Sequence, residues 1–265
     1  MLRENDFFKH DNGCPLLMQN HKYLPNNDEH AWNNTRNWIV LLLKKKKSTK
    51  TLKNEKELYM NELKNNGQQT AINNYGLQTI KKPERIIVRD AERNFLSQKK
   101  REIFITVLTI IKDCLSDYQQ TLSYVTGILL LFYDIPTTIE MIVTLAKHPK
   151  YGMSGYWKHE ATLQAIDAYI LFKLLETYNN ELYKHLKSTN IMPESFIPKW
   201  FGGLCVQIMP LKYLILFFNN FFEYGLIYLF GFGIAMFNSL KPHLIKTNKF
   251  NELYAILALD RNTKF

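Results

Sequence analysis

The segment "YVTGILLLFY", residues 124–133, is apolar on every face that a helix could present. Such a helix does not lie at a surface. It requires neighbours all round, so the chain must stack helices in more than one layer. The flanking sequence supplies them. From Lys99 to Leu115, Ile103, Val107, Ile110, Ile111 and Leu115 recur at three- and four-residue steps. Pro136 is expected to end the apolar helix, and "TTIEMIVTLAKH" (137–148) forms the next, closed by Pro149. "HEATLQAIDAYILFKLLETYNNELYKHLKS" (159–188) reads as one long amphipathic helix, with Leu163, Ile166, Ile170, Leu174, Leu175, Tyr178 and Leu182 on its broad apolar face. Pro193 and Pro198 mark a break. "KWFGGLCVQIM", a pair of apolar helices to about Leu240 and a short helix at "FNELYAILAL" follow. Upstream, "AWNNTRNWIVLLL" (31–43) and "ELYMNELKNN" also read as helical. No alternating strand pattern occurs, so the fold class is all-α, with about a dozen helices or fewer.

A chain of 265 residues, 46% of them hydrophobic, has enough apolar material for a substantial core. Residues 1–30 are polar, asparagine-rich and aperiodic, and are expected to form a loose extension. The rest divides near 188–198 into two helical subdomains, 31–190 and 191–265. The loops at 44–56, with Lys44 to Lys47, and at 66–84 read as exposed polar connections.

The stretch 211–237, "LKYLILFFNNFFEYGLIYLFGFGIAMF", raises the question of a membrane span. A spanning helix needs about 20 consecutive apolar residues with few charges. Asn219, Asn220 and Glu223 interrupt the first half, and Gly231 and Gly233 the second, so two core helices are expected. The N-terminus carries charges where a secretion signal needs an apolar run. Cys14, Cys114 and Cys205 are odd in number and widely spaced, which disfavours a disulfide framework or zinc site and suits a reducing compartment. The histidines show no paired ligand spacing, so no metal is expected. The net charge of +10 suits an acidic protein face, a phosphate-bearing ligand, an anionic membrane or nucleic acid. No nucleic-acid recognition motif accompanies it, and no GxxxxGK[ST] phosphate-binding loop is present. Trp32, Trp38, Trp157 and Trp200 read as packing residues.

Two short motifs remain. "IVRDAER" (87–93) places Asp90 and Arg93 three residues apart on one helix face. "YQQ" (118–120) places Tyr118 two positions before Gln120. Taken singly, the first reads as a surface ion pair and the second as a polar loop.

In order, they resemble the Ile-x-x-Asp-x-x-Arg and Tyr-x-Gln motifs of TBC-domain GTPase-activating proteins, which act on Rab GTPases. "TRNWIVLLL" is similar to that family's opening helix in a looser form, and "LKNEKELYMNEL" to the segment that follows it. Residues 196–237 resemble its C-terminal half. The resemblance covers about residues 31–260. There are departures. The family's Gly-Met-Asn after the glutamine is here Thr121, Leu122 and Ser123. The glycine before the tyrosine is Asp117, the late Trp-Asp pair is Phe218 and Asn219, and the two motifs stand closer together than is usual.

The resemblance implies a TBC-type multi-helix domain of two subdomains that supplies Arg93 and Gln120 in trans to a Rab-family GTPase. GTP and Mg²⁺ would arrive on that partner, and the domain would hold no cofactor of its own. A guanidinium stabilises charge developing on the transferring phosphoryl group, an effect on the order of 10³–10⁵ in rate. A carboxamide, which both donates and accepts, orients the attacking water. Asp90 would align Arg93, and Tyr118 would fix the glutamine loop by packing. The implied setting is cytoplasmic, peripheral on organelle membranes through the Rab. The changes at 121–123 and at Asn219 leave open a second reading, a catalytically weak or inactive TBC-fold scaffold or binding module in a larger assembly.

Overall fold

The computed structural model describes residues 29–43, 83–94, 98–209 and 211–259. Of the loose extension expected over 1–30, residues 1–28 fall outside these, as do the lysine-rich loop and the helix near residue 60, while Glu29 and His30 belong to the first helix. Among the described residues every regular element is a helix. The chain runs α1 (Glu29–Leu43), α2 (Arg85–Asn94), α3 (Gln98–Leu115), α4 (Gln120–Phe132), α5 (Ile135–Lys147), α6 (Thr162–Tyr178), α7 (Asn180–Ser188), α8 (Leu211–Tyr224), α9 (Leu226–Leu244) and α10 (Phe250–Leu257). Short 3₁₀ turns occupy Met153–Gly155 and Pro193–Ser195, and a π-helical turn occupies Pro198–Gly202.

The apolar helix is α4, and every residue from Thr121 to Leu131 is buried. It is enclosed by α2, α3, α5 and the Pro198–Gly202 turn. Its end is not made by Pro136. The helix stops at Phe132, Tyr133 is extended, and Pro136 lies in the first turn of α5. A proline there loses nothing, because its missing N–H is one that a helix start leaves unpaired. Asp134 caps α5 by accepting from the Thr137 N–H at 2.8 Å.

The expected single helix over 159–188 is two. Asn179 takes a non-helical backbone, ends α6, and caps α7 through its side chain, which accepts from the Leu182 N–H. Asparagine does this readily because its side-chain oxygen replaces a backbone partner. The expected buried face of the first part is also corrected. Asp167, Ala168, Leu171, Phe172 and Leu175 face the core, while Ile166, Ile170 and Tyr178 are exposed. The α6 sequence is apolar on both sides, and Asp167, which a hydropathy reading sends outward, is pulled in by the buried Tyr156 hydroxyl that donates to it.

The 211–237 stretch is two helices, as expected, but the break is elsewhere. It falls at Gly225, with φ +68°, and Gly231 and Gly233 lie within α9 without interrupting it. A Cβ on Gly225 would stand 2.2 Å from the Lys150 carbonyl oxygen. That carbonyl accepts the Leu226 N–H, so the close approach that excludes a side chain also starts α9. No helix among the described residues is long and apolar enough to cross a membrane.

One continuous apolar core joins the early and late helices. α1 lies along α8, where Trp38 packs against Phe132, Tyr133, Phe218 and Phe222 and donates its indole N–H to Asn219. Trp157 donates to the Gly202 carbonyl and Trp200 to that of Leu257, each at 2.9 Å. All three indoles are packing residues with their one donor satisfied.

Candidate functional site

α2 is short and strongly two-sided. Ile87, Asp90, Ala91 and Asn94 face inward at helical spacing, so a carboxylate sits where an apolar residue is expected. Asp90 has no exposed surface. A buried carboxylate persists only when both oxygens are partnered, and both are. Arg93 Nη1 donates to Oδ1 at 2.9 Å, and the Tyr118 hydroxyl donates to Oδ2 at 2.7 Å. Arg93 lies at the rim, with 49% of its side chain in solvent, so one edge of the guanidinium is anchored while much of the group stays accessible.

The glutamine loop follows α3. Ser116 turns the chain with φ +60°, and Asp117 then ties the loop down. Its carboxylate accepts the Tyr118 N–H at 2.7 Å and the His159 N–H at 2.9 Å. The aspartate that replaces the resembled glycine thus joins this loop to the 156–161 segment. Of the two glutamines, Gln119 is the cap of α4, accepting the Thr121 N–H at 2.7 Å. Gln120 is the first residue of α4 and half-buried, and its Nε2 donates to the Tyr124 hydroxyl at 3.0 Å.

The structure therefore brings all four singled-out residues into one neighbourhood. Arg93 and Tyr118 meet on Asp90, and Gln120 follows Tyr118 by two positions. Tyr124, which holds Gln120, lies within electrostatic reach of both Asp90 and Arg93. Tyr118 acts by donating a hydrogen bond as well as by packing. Burial raises the Asp90 carboxyl, and the bonds from Tyr118 and Arg93 offset that in part. Burial and then the neighbouring Asp90 charge push the Tyr118 hydroxyl far up, so it remains a neutral donor.

Three further residues complete the shell: Asn94 carries no signal in the sequence, and Ser123 and Thr121 show there only as departures from the resembled motif. The buried Asn94 side chain donates to the Asp90 carbonyl at 2.7 Å and to Ser123 Oγ at 3.2 Å, locking α2 to α4. Ser123, one of the altered residues, serves as that acceptor. Thr121, the residue in place of glycine, faces Gly202, where a Cβ would come within 3.0 Å of its hydroxyl. That tight approach leaves little room for a side chain at 202. Among the described residues no group of three His, Cys, Asp or Glu side chains is placed to hold a metal ion.

Residues 34–245 match the sequence model of a family described as the Rab-GTPase-TBC domain. The chain belongs to that family. This TBC domain is 26% identical to mouse "TBC1 domain family member 4" over 140 residues, which is 53% of the chain and 11% of that protein. It is 28% identical to human "TBC1 domain family member 1" over 129 residues, or 49% of the chain and 11% of the relative. It is likewise 28% identical to the fission yeast "GTPase activating protein Gyp51" over 131 residues, 49% of the chain and 12% of that protein. The matched part is thus about a tenth of each curated relative. Among solved structures, the Chlamydomonas flagellar RabGAP TBC domain superposes with a TM-score of 0.60 at 15% identity, covering 92% of this chain and 83% of that one. At that identity the likeness is one of fold.

Proposed function

We propose that this TBC domain accelerates GTP hydrolysis by a Rab-family small GTPase, with Arg93 and Gln120 reaching the partner's nucleotide. The observation that carries the reading is the anchoring of a half-exposed guanidinium by a fully buried carboxylate, beside a carboxamide at the head of α4. Holding Arg93 through one edge fixes its planar fork while leaving donors for a phosphate oxygen. The ordering cost is met on folding, so less is lost when the partner docks. Gln120 orients the attacking water, and GTP and Mg²⁺ ride on the partner. The domain works at organelle membranes from the cytoplasmic side, reached through that Rab.

A second reading, a scaffold that binds a GTPase without accelerating it, is favoured by Thr121 and Ser123, which differ from the resembled motif beside Gln120. Single-turnover GTP hydrolysis across a Rab panel separates the two. The expected result is acceleration of at least one Rab by the wild type, a loss on the order of 10³ for Arg93→Ala, and a loss on the order of 10² for Gln120→Ala. Binding of a Rab with acceleration of none across the panel overturns the enzymatic reading in favour of the scaffold.

A further inference from the structure

Gln120 and Tyr124 lie one turn apart on α4, so their side chains meet on the same face. Tyr124 is buried, with 2% of its surface exposed, and the Gln120 Nε2 donates to its hydroxyl at 3.0 Å. A carboxamide is planar and has two different ends. Once the nitrogen is engaged by a fixed hydroxyl beneath it, the oxygen is carried to the opposite side, and no hydrogen bond engages that oxygen among the described residues. The second N–H is left over as well. Those two groups are what a water-orienting amide needs: an acceptor for the water and a donor for the phosphate. A free glutamine side chain samples many rotamers and both amide orientations, and most of them present the wrong end.

We propose that Tyr124 is a positioning residue for Gln120, its hydroxyl fixing the carboxamide with nitrogen inward and oxygen toward the docked nucleotide. The inference rests on the proposed GTPase-activating role. Tyr124 itself touches neither water nor phosphate. The tyrosine is seated for the task by the surrounding shell, because the flanking Ser123 is pinned by Asn94 and α4 is packed on all sides. Phenylalanine would fill the same volume without the hydroxyl, so the exchange isolates the hydrogen bond from the packing.

The test uses the full chain, the Rab that the panel identifies, and Tyr124→Phe beside wild type and Arg93→Ala. Single-turnover rates are measured against protein concentration. The expected result is a maximal rate lowered roughly tenfold, with the half-saturating concentration and the thermal midpoint unchanged. A merely structural role would lower the midpoint and leave the maximal rate. In parallel, the Gln120 side-chain amide protons are followed by NMR; they should be shifted and slow to exchange in wild type and ordinary in Tyr124→Phe. Rates for Tyr124→Phe equal to wild type, while Arg93→Ala is inactive, overturn this inference and leave the broader reading intact. If the wild type accelerates no Rab, the broader reading fails and the catalytic role of Tyr124 falls with it. Unchanged Gln120 amide signals overturn the contact whatever the rates show.

Discussion

Asp90 and Asp117 flank the same site and titrate in opposite senses. Burial raises the Asp90 carboxyl above its ordinary 3.8, with its bonds to Tyr118 and Arg93 offsetting only part. Between 3.8 and that raised value, the folded protein holds a proton that the unfolded chain has released. Stability from this group therefore falls as pH rises through that interval. Asp117 is lowered below 3.8, chiefly by the His159 backbone N–H and also by that of Tyr118. Its contribution is present above 3.8 and is lost as pH falls through the depressed value. Urea unfolding of wild type, Asp90→Asn and Asp117→Asn at a series of pH values checks both signs. The gap between wild type and Asp117→Asn should be widest near neutrality and close on acidification below 3.8. The gap between wild type and Asp90→Asn should shift toward wild type as pH falls to 3.8. Asp90, Arg93, Tyr118 and Gln120 could be picked out from the sequence because their two short motifs, in order, resemble a family pattern; singly each reads as an ion pair or a polar loop. Asn94 and Tyr124 could not, since what they do depends on which helix α2 is laid against, and Ser123 was visible only as a departure from the resembled motif.

Among the elements, the helices with a continuous apolar stripe were readable, and α3, α4 and α5 begin and end within a few residues of where periodicity puts them. α6 was not. Its apolar residues fall on two sides, and the choice between them is made by Tyr156 reaching Asp167, a contact between separate segments. The α8–α9 break shows the same limit. Asn219, Asn220, Glu223, Gly225, Gly231 and Gly233 could each disrupt a helix, and only tertiary contact selects Gly225. That selection has a measurable consequence. Gly225→Ala combines a left-handed φ of +68° with a Cβ 2.2 Å from a carbonyl oxygen, and should cost on the order of 3 kcal/mol in chemical denaturation. Gly231→Ala on the next helix meets nothing within 4 Å and should be neutral, or stabilising by about 0.5–1 kcal/mol. Equal losses for the two would remove the account of the break.

For the whole molecule, the all-α class followed from the helical periodicities and the lack of an alternating strand pattern, but how the late helices return to the first did not. Phe218 and Asn219 looked like eroded motif residues. In the fold they are the surface on which α1 is clamped, one through its ring and the other by accepting the Trp38 N–H. The described helices share one core even though the chain breaks at the prolines. The burial of α4 then reaches beyond packing. With every residue from Thr121 to Leu131 buried, the backbone amides from Leu122 to Leu131 are expected to reach solvent only when the core opens. Their deuterium uptake should therefore report the global unfolding free energy, and should track it through any destabilising substitution elsewhere. Gln120 stands at the threshold of this buried stretch, so the end of α4 proposed to face the nucleotide is mounted on a helix enclosed along nearly its whole length.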